Sequence, residues 1–549
     1  MRNRYALAGS QRSESGARTL EFSGRVQRLS PLSSIPATSR SQRTLTLVVL
    51  LALLCSARLS GQAKLAEEHY QAGITALEGH NLAEAERQFR AALKLRPGFV
   101  EAHQDLGIVL AQQGHLKEAA AELQEVASHR PTSAEAHYNL GLVLDQADES
   151  RAAAVEFRRA LELKPDYSEA RNNLGLLLER TGDLQRAIAE FRETIRRAPQ
   201  YAEARNNLGY ALLQSGDVGS AISELRAALK IEPDFPQVHQ NLGLALWKKP
   251  ELDAAAAEFG VAAALGLPEA HVSLGTLLGE KGELDAAIAE HRIAVKLLPE
   301  DAEAHYLLGG GLHQKGDLPA ALLELREALR INPSFVAAHI QLGVVLRQTG
   351  DLDGACKELA TATRLDPANA EAHYQLGFAR LRQGDLADAE AELRRATKLN
   401  SRNSDAYYLL GQTLQRLNKR DEARAAFGEV ERLHRADADF DRANTQYNLG
   451  LQALAKADLG TARTAFQAAL ALRPDFTEAH TNLGVVLLKM GETKSAVGQL
   501  QAAIDLKPDD ARAYYDLSLA FEKQGDQEAA RQARQRAVEL DPSLPLASP

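Results

Sequence analysis

From Ala66 to Leu544 the chain repeats itself every 34 residues, and a period of that length leaves few folds open. The stretch Ser168 to Tyr201, SEARNNLGLLLERTGDLQRAIAEFRETIRRAPQY, is followed by AEARNNLGYALLQSGDVGSAISELRAALKIEPDF from Ala202 to Phe235. Fourteen units fit, thirteen of them at 34 residues. The sixth (236–267) is two residues short, and five residues (438–442) are inserted after the eleventh. Gly recurs at the eighth place in thirteen units, from Gly73, Gly107 and Gly141 to Gly484, with Ser518 the exception. Ala holds the twentieth place in all fourteen, and Pro closes eleven of them near the thirty-second.

Each unit contains two apolar-periodic helical stretches joined by a turn such as Thr181-Gly182-Asp183. The Gly permits the left-handed backbone that ends the first helix, and the Asp begins the second. Small residues at the eighth and twentieth places predict closely packed helix pairs, and Pro ends the second helix. One pair cannot cover its own apolar face. The units must therefore stack, which predicts an all-α, right-handed superhelical solenoid with a concave channel.

These units resemble the tetratricopeptide repeat, a helix–turn–helix of the same length with small residues at the same places. The resemblance covers 66–544 and implies noncovalent binding of proteins or extended peptides. It also implies that the sixth place looks into the channel.

Irregular units predict three stiff blocks, units 1–6 (66–267), 7–11 (268–437) and 12–14 (443–544), with altered curvature at the joints. Gly309-Gly310-Gly311 should weaken the first helix of the eighth unit. In the last unit Arg534 stands at a place usually filled by Phe or Leu, and the surrounding polarity of 527–540 predicts a solvent-facing cap; a tail, 545–549, follows.

The amino terminus has its own composition. Residues 1–63 hold nine Arg, two Glu and no Lys or Asp, a charge of +7 within a chain of −9. A basic region (1–43) leads into the apolar block Leu45–Leu54 and then small residues, the layout of an export signal over 44–63. Ala57 and Ala63 both fit the last residue before cleavage. The block is shorter than the roughly 20 apolar residues of a membrane span, so an uncleaved anchor over 44–57 is the second reading. The expected location is the bacterial periplasm or the medium, with inner-membrane anchoring as the alternative. The long basic region also suggests that translation begins downstream.

Composition excludes several functions. The array's surplus of acid argues against nucleic-acid binding, which needs surplus Lys and Arg. Two cysteines preclude a disulfide scaffold. No P-loop, dinucleotide fingerprint, Gly-x-Ser-x-Gly turn or kinase signature occurs, so no catalytic residue and no cofactor is expected.

Four recurrent polar places remain. His fills the fourth place at His69, His103, His137, His239, His271, His305, His339, His373 and His480. Equivalent places lie about a helix pair apart, roughly 10 Å, too far to share a metal ion, so these rings are expected to pack at the helix interface. Glu at the second place, as at Glu135 and Glu169, is explained by the helix macrodipole. Tyr at the fifth place, as at Tyr138 and Tyr447, is expected to pad the groove wall.

Asparagine at the sixth place is the functional candidate: Asn139, Asn173, Asn207 and Asn241 in four consecutive units, then Asn448 and Asn482. A carboxamide both donates and accepts, so a row of them grips peptide main chain with little regard for sequence. The row is similar to the asparagine ladder in the repeats of O-linked N-acetylglucosamine transferases. The competing reading is a hydrated consensus residue. The expected function is thus a noncatalytic, exported protein-binding scaffold, which family analogy places in a cell-envelope assembly. The alternatives are a targeting subunit of an enzyme complex or a cytoplasmic scaffold with a misassigned leader.

Overall fold

The computed structural model describes residues 61–545, in which every regular element is helical. The basic region, the apolar block and the cleavage candidate Ala57 lie outside the described residues, as does most of the 545–549 tail. Residues 61–63 open the first helix, α1 (61–78). Twenty-six more follow in chain order, from α2 (Leu82–Leu95) to α27 (Gln527–Leu540). Among the described residues no helix is long and apolar enough to cross a membrane.

The all-α solenoid expected from the period is the observed fold. Most helices have 13 or 14 residues, and within each compact unit second helices pack on the first helix of their own repeat and, outside repeat 11, on that of the next. The chain divides into two compact units, Met1–Leu297 and Leu298–Pro549, with the boundary inside the block expected over 268–437.

Two sequence places explain each repeat. At the fifteenth place, in the turn, Gly is left-handed wherever it occurs, for example Gly182 (φ 86°) and Gly316 (φ 87°). His80, Asp148, Asn418 and Ala457 hold the same conformation without that freedom. At the eighth place, Gly leaves room for a side chain of the second helix rather than for its backbone. A Cβ on Gly175 would stand 2.5 Å from the Phe191 ring, and one on Gly209 would stand 2.5 Å from Leu225. Phe89, Phe157, Phe191, Phe259 and Phe466 are consequently fully buried.

Three irregularities of the sequence have physical outcomes in the fold. Arg534 does not face solvent: it is 5 % exposed, because the twenty-fourth place points at its own repeat's first helix. Its Nε and Nη2 donate to Ser518 Oγ at 3.1 and 3.0 Å, and Nη2 meets Glu522 at 3.0 Å. Ser518 thus replaces the usual Gly with a partner for the guanidinium. The triple glycine leaves α15 (Ala302–Lys315) unbroken, since Gly309 gives room for Leu325 and a continuing helix contains all three. Finally, the insertion forms helix rather than loop at the joint between repeats 11 and 12. α22 runs unbroken over Arg420–Ala455, 36 residues, fusing the second helix of repeat 11 with the first of repeat 12. Neither Gly nor Pro occurs between 429 and 449 to stop it.

Candidate functional site: the carboxamide row

Within 1–297 the candidate asparagines lie on α5 (Ala134–Gln146), α7 (Ser168–Arg180), α9 (Ala202–Gln214) and α11 (Pro236–Lys248). They do not bond to one another. Each reaches instead for the fifth place of the preceding repeat. Asn173 Nδ2 donates to Tyr138 Oη at 3.1 Å, Asn207 to Asn172 Oδ1 at 3.0 Å and Asn241 to Asn206 Oδ1 at 2.9 Å. Gln240 continues the seam by donating to Ser273 Oγ at 2.7 Å. Asn139 differs: it is 2 % exposed, and its Oδ1 has no hydrogen-bond partner.

An amide carries two N–H groups, so one donor per residue is committed to the neighbouring repeat. The second N–H of Asn173, Asn207 and Asn241 takes no part in those bonds. In 298–549, Asn482 donates to Tyr447 Oη at 2.9 Å, whereas Asn448 is exposed.

Aromatic rings and carboxylates surround the seam. Tyr138 packs on Tyr167 with ring centroids 4.8 Å apart, and Lys164 lies over Tyr167. Burial first, then Tyr138 and Glu135 beside Tyr167 and Glu203 beside Tyr201, hold both phenols well above their ordinary value, so both remain O–H donors. Buried Asp145 pairs with Arg180, and Gln214 donates to Glu179 at 2.8 Å. Farther along, α9 and α11 enclose an open hollow of about 430 Å³ lined by Tyr210, Leu213, Leu244, Trp247 and Lys248. Its indole N–H donates to Glu280 at 2.7 Å. The hollow offers apolar contact beside the polar seam.

The fourth-place histidines have a role that the sequence reading located but did not explain. His103 Nδ1 stands 2.5 Å from Glu122 Oε2, and its Nε2 stands 2.7 Å from the Pro97 carbonyl. His239 repeats this with Glu258 and Pro233, and His305, His339 and His373 do likewise. Arg171 substitutes in repeat 4, reaching Glu190 at 2.9 Å and the Pro165 carbonyl at 3.1 Å. One side chain thus ties both helices of a repeat to the loop before it. The signal was present as an invariant 19-residue spacing from the fourth place to a Glu or Gln. Among the described residues no group of three or more His, Cys, Asp or Glu could hold a metal ion.

Tetratricopeptide repeat models match 138–202, 172–237, 206–266, 272–335, 447–496 and 482–545. Related repeat models match 76–142, 343–384 and 380–446. The chain belongs to the tetratricopeptide repeat family. Similar solved structures include one titled as an APC/C hetero-tetramer Cut9-Hcn1, at 16 % identity and TM-score 0.38, covering 89 % of this chain and 96 % of that one. Another, titled for Pseudomonas aeruginosa pilF, has 23 % identity and TM-score 0.34 over 37 % of this chain and 94 % of that one. At those values neither likeness bears on function. No curated protein matches the sequence. As a tetratricopeptide repeat array the chain is a protein-interaction scaffold.

Proposed function

We propose that this scaffold is exported, noncatalytic, and holds an extended peptide along the face formed by the first helices of repeats 3–6. The carboxamide row is the observation that carries this reading. Asn173, Asn207 and Asn241 are oriented by one hydrogen bond each to the repeat before, so the guest does not have to order them. Their remaining donor and acceptor suit main-chain N–H and C=O groups, while the Tyr210–Trp247 hollow suits an apolar side chain. The basic and apolar composition of 1–63 supports export, and with it a role in a cell-envelope assembly.

The test is a crosslinked pull-down from envelope extract, comparing the native chain with one in which Asn139, Asn173, Asn207 and Asn241 are all Ala. Loss of one specific partner, with melting corrected for the lost seam bonds, supports the row as the site. Retention of every partner refutes it. Cell fractionation checks export separately: a chain found wholly in the cytoplasm refutes that part.

A further inference from the structure

Repeats 11 and 12 carry two faces that match each other but are held apart. At other joints of 298–549 the second helix of one repeat packs on the first helix of the next, as α23 (Leu459–Leu472) does on α24 (Thr477–Lys489). At this joint both helices are halves of α22, about 54 Å long at 1.5 Å per residue. While that helix is continuous, its halves 420–433 and 443–455 cannot lie side by side in one chain.

Two side-chain pairs made at other joints are left unmade. Tyr at the fifth place meets Asn at the sixth place of the next repeat in Tyr138–Asn173 (3.1 Å) and Tyr447–Asn482 (2.9 Å). The corresponding residues here are Tyr408 and Asn448. Tyr408 is 48 % exposed, Asn448 is exposed, and neither side chain is hydrogen-bonded. The Tyr408 ring packs 5.9 Å from that of Phe427, which places it about 32 Å along α22 from Asn448.

Opposite charges likewise join the twenty-first and sixteenth places of successive repeats. Glu390 meets Lys419 at 2.7 Å, and Arg463 meets Glu492 at 2.7 Å. At this joint the pair is Arg424 and Asp458. Arg424 reaches only Asp421 of its own helix, at 3.5 Å, and Asp458 caps α23 through the Thr461 N–H. Apolar surface accompanies them: Phe440, Leu449 and Leu451 are 48, 44 and 38 % exposed. On the repeat 11 side lies an open hollow of about 520 Å³ lined by Gln415, Ala423, Phe427 and Gly428.

We propose that a second copy of this chain fills both faces. Two α22 helices lie antiparallel about a twofold axis near Ala438, and repeat 11 of each copy stacks on repeat 12 of the other. A twofold interface uses the same patch on both copies, and this patch contains both halves of the missing contact. The antiparallel arrangement brings Phe427 of one copy level with Leu449 of the other. It makes the Tyr408–Asn448 and Arg424–Asp458 pairs twice, and it covers Phe440 beside the axis. Charge complementarity and the register of the neighbouring repeat joints select this occupant over an unrelated helix.

The experiment is sedimentation equilibrium of the full chain, with disulfide trapping of the variants Tyr408→Cys and Asn448→Cys. The native chain is expected at twice its monomer mass. A mixture of the two single variants is expected to form an intermolecular disulfide that neither forms alone. Arg424→Glu and Leu449→Asp, both at exposed positions of the lone chain, are each expected to weaken association about tenfold or more. A monomer at micromolar concentration overturns the proposal, as does a dimer that the cysteines fail to trap. In the double variant, an intrachain disulfide would also overturn it, by showing that α22 breaks and the joint closes within one chain.

Discussion

Repeats 3–4 and repeats 11–12 each set a fifth-place Tyr before a sixth-place Asn in the next repeat, yet only the former pair is stitched together. Along α5, α7, α9 and α11 the bonds Tyr138–Asn173, Asn172–Asn207 and Asn206–Asn241 run unbroken from repeat to repeat. At α22 the matched Tyr408 and Asn448 stay apart. The difference lies in five residues and a missing Pro. A Pro-terminated loop lets the chain reverse and bring successive repeats into contact, whereas an uninterrupted helix carries the next repeat away. Pairing in this architecture is therefore decided by connection geometry as much as by the side chains that pair.

The largest effect should come from challenging close packing in the stitched region. Gly141→Val places a Cβ 2.8 Å from the Phe157 ring and is expected to cost roughly 3 kcal/mol in chemical denaturation. Gly428→Ala in α22, where a Cβ meets nothing within 4 Å, is expected to add about 1 kcal/mol by helix propensity. Equal costs at both positions would remove the contrast.

Next come two buried titratable groups that interrupt the pattern. Asp516 takes the sixth place of the last repeat, where burial pushes its carboxyl up to about 6 and Oδ2 has no hydrogen-bond partner. Folded, it holds its proton more tightly than unfolded. Its cost is therefore absent near pH 4, grows as pH rises, and is complete above about 6. Asp516→Asn is expected to stabilise by about 2 kcal/mol at pH 8 and by little at pH 4, read from melting at both values. A gain independent of pH would contradict this.

His291 occupies the buried twenty-fourth place of repeat 7, where every other repeat but the last has Phe or Leu. A Cβ on Gly275 would stand 2.5 Å from its ring. Burial lowers its pKa, while the Val272 carbonyl and Glu290 act weakly in the other direction. The unfolded chain thus binds the proton more readily, and stability is complete above about pH 6.5 and falls as pH drops below it. His291→Phe is expected to gain about 1 kcal/mol near pH 5.5 and to flatten that slope. An unchanged acid-side slope would exclude His291 as its source.

The smallest effect tests the seam itself. Asn173→Ala should cost about 1 kcal/mol by removing the bond to Tyr138, whereas Asn448→Ala should leave the melting of the dilute chain unchanged. A loss at Asn448 equal to that at Asn173 would show that the joint is already closed.

The sequence fell short at particular residues. The helix–turn–helix period and the turn glycines were legible because the same local rules recur from unit to unit, whereas the Phe191 ring filling the space at Gly175 was not read. The histidines were located, but their Glu and Pro-carbonyl partners lie on different elements, and only the folded hairpin brings His103, Glu122 and Pro97 together. Arg534 was misread because polarity alone did not reveal that its side chain points inward to Ser518. The asparagines were recognised as a row, but not as bonds between repeats.

Amino-acid order alone determined the unit, its two helices, its turn and the number of copies, because those depend on local backbone preference and on a short-range apolar period. Tertiary structure decided which matched side chains meet. A hydrogen bond or ion pair 35 residues apart exists only if the intervening chain turns back, and at α22 it does not.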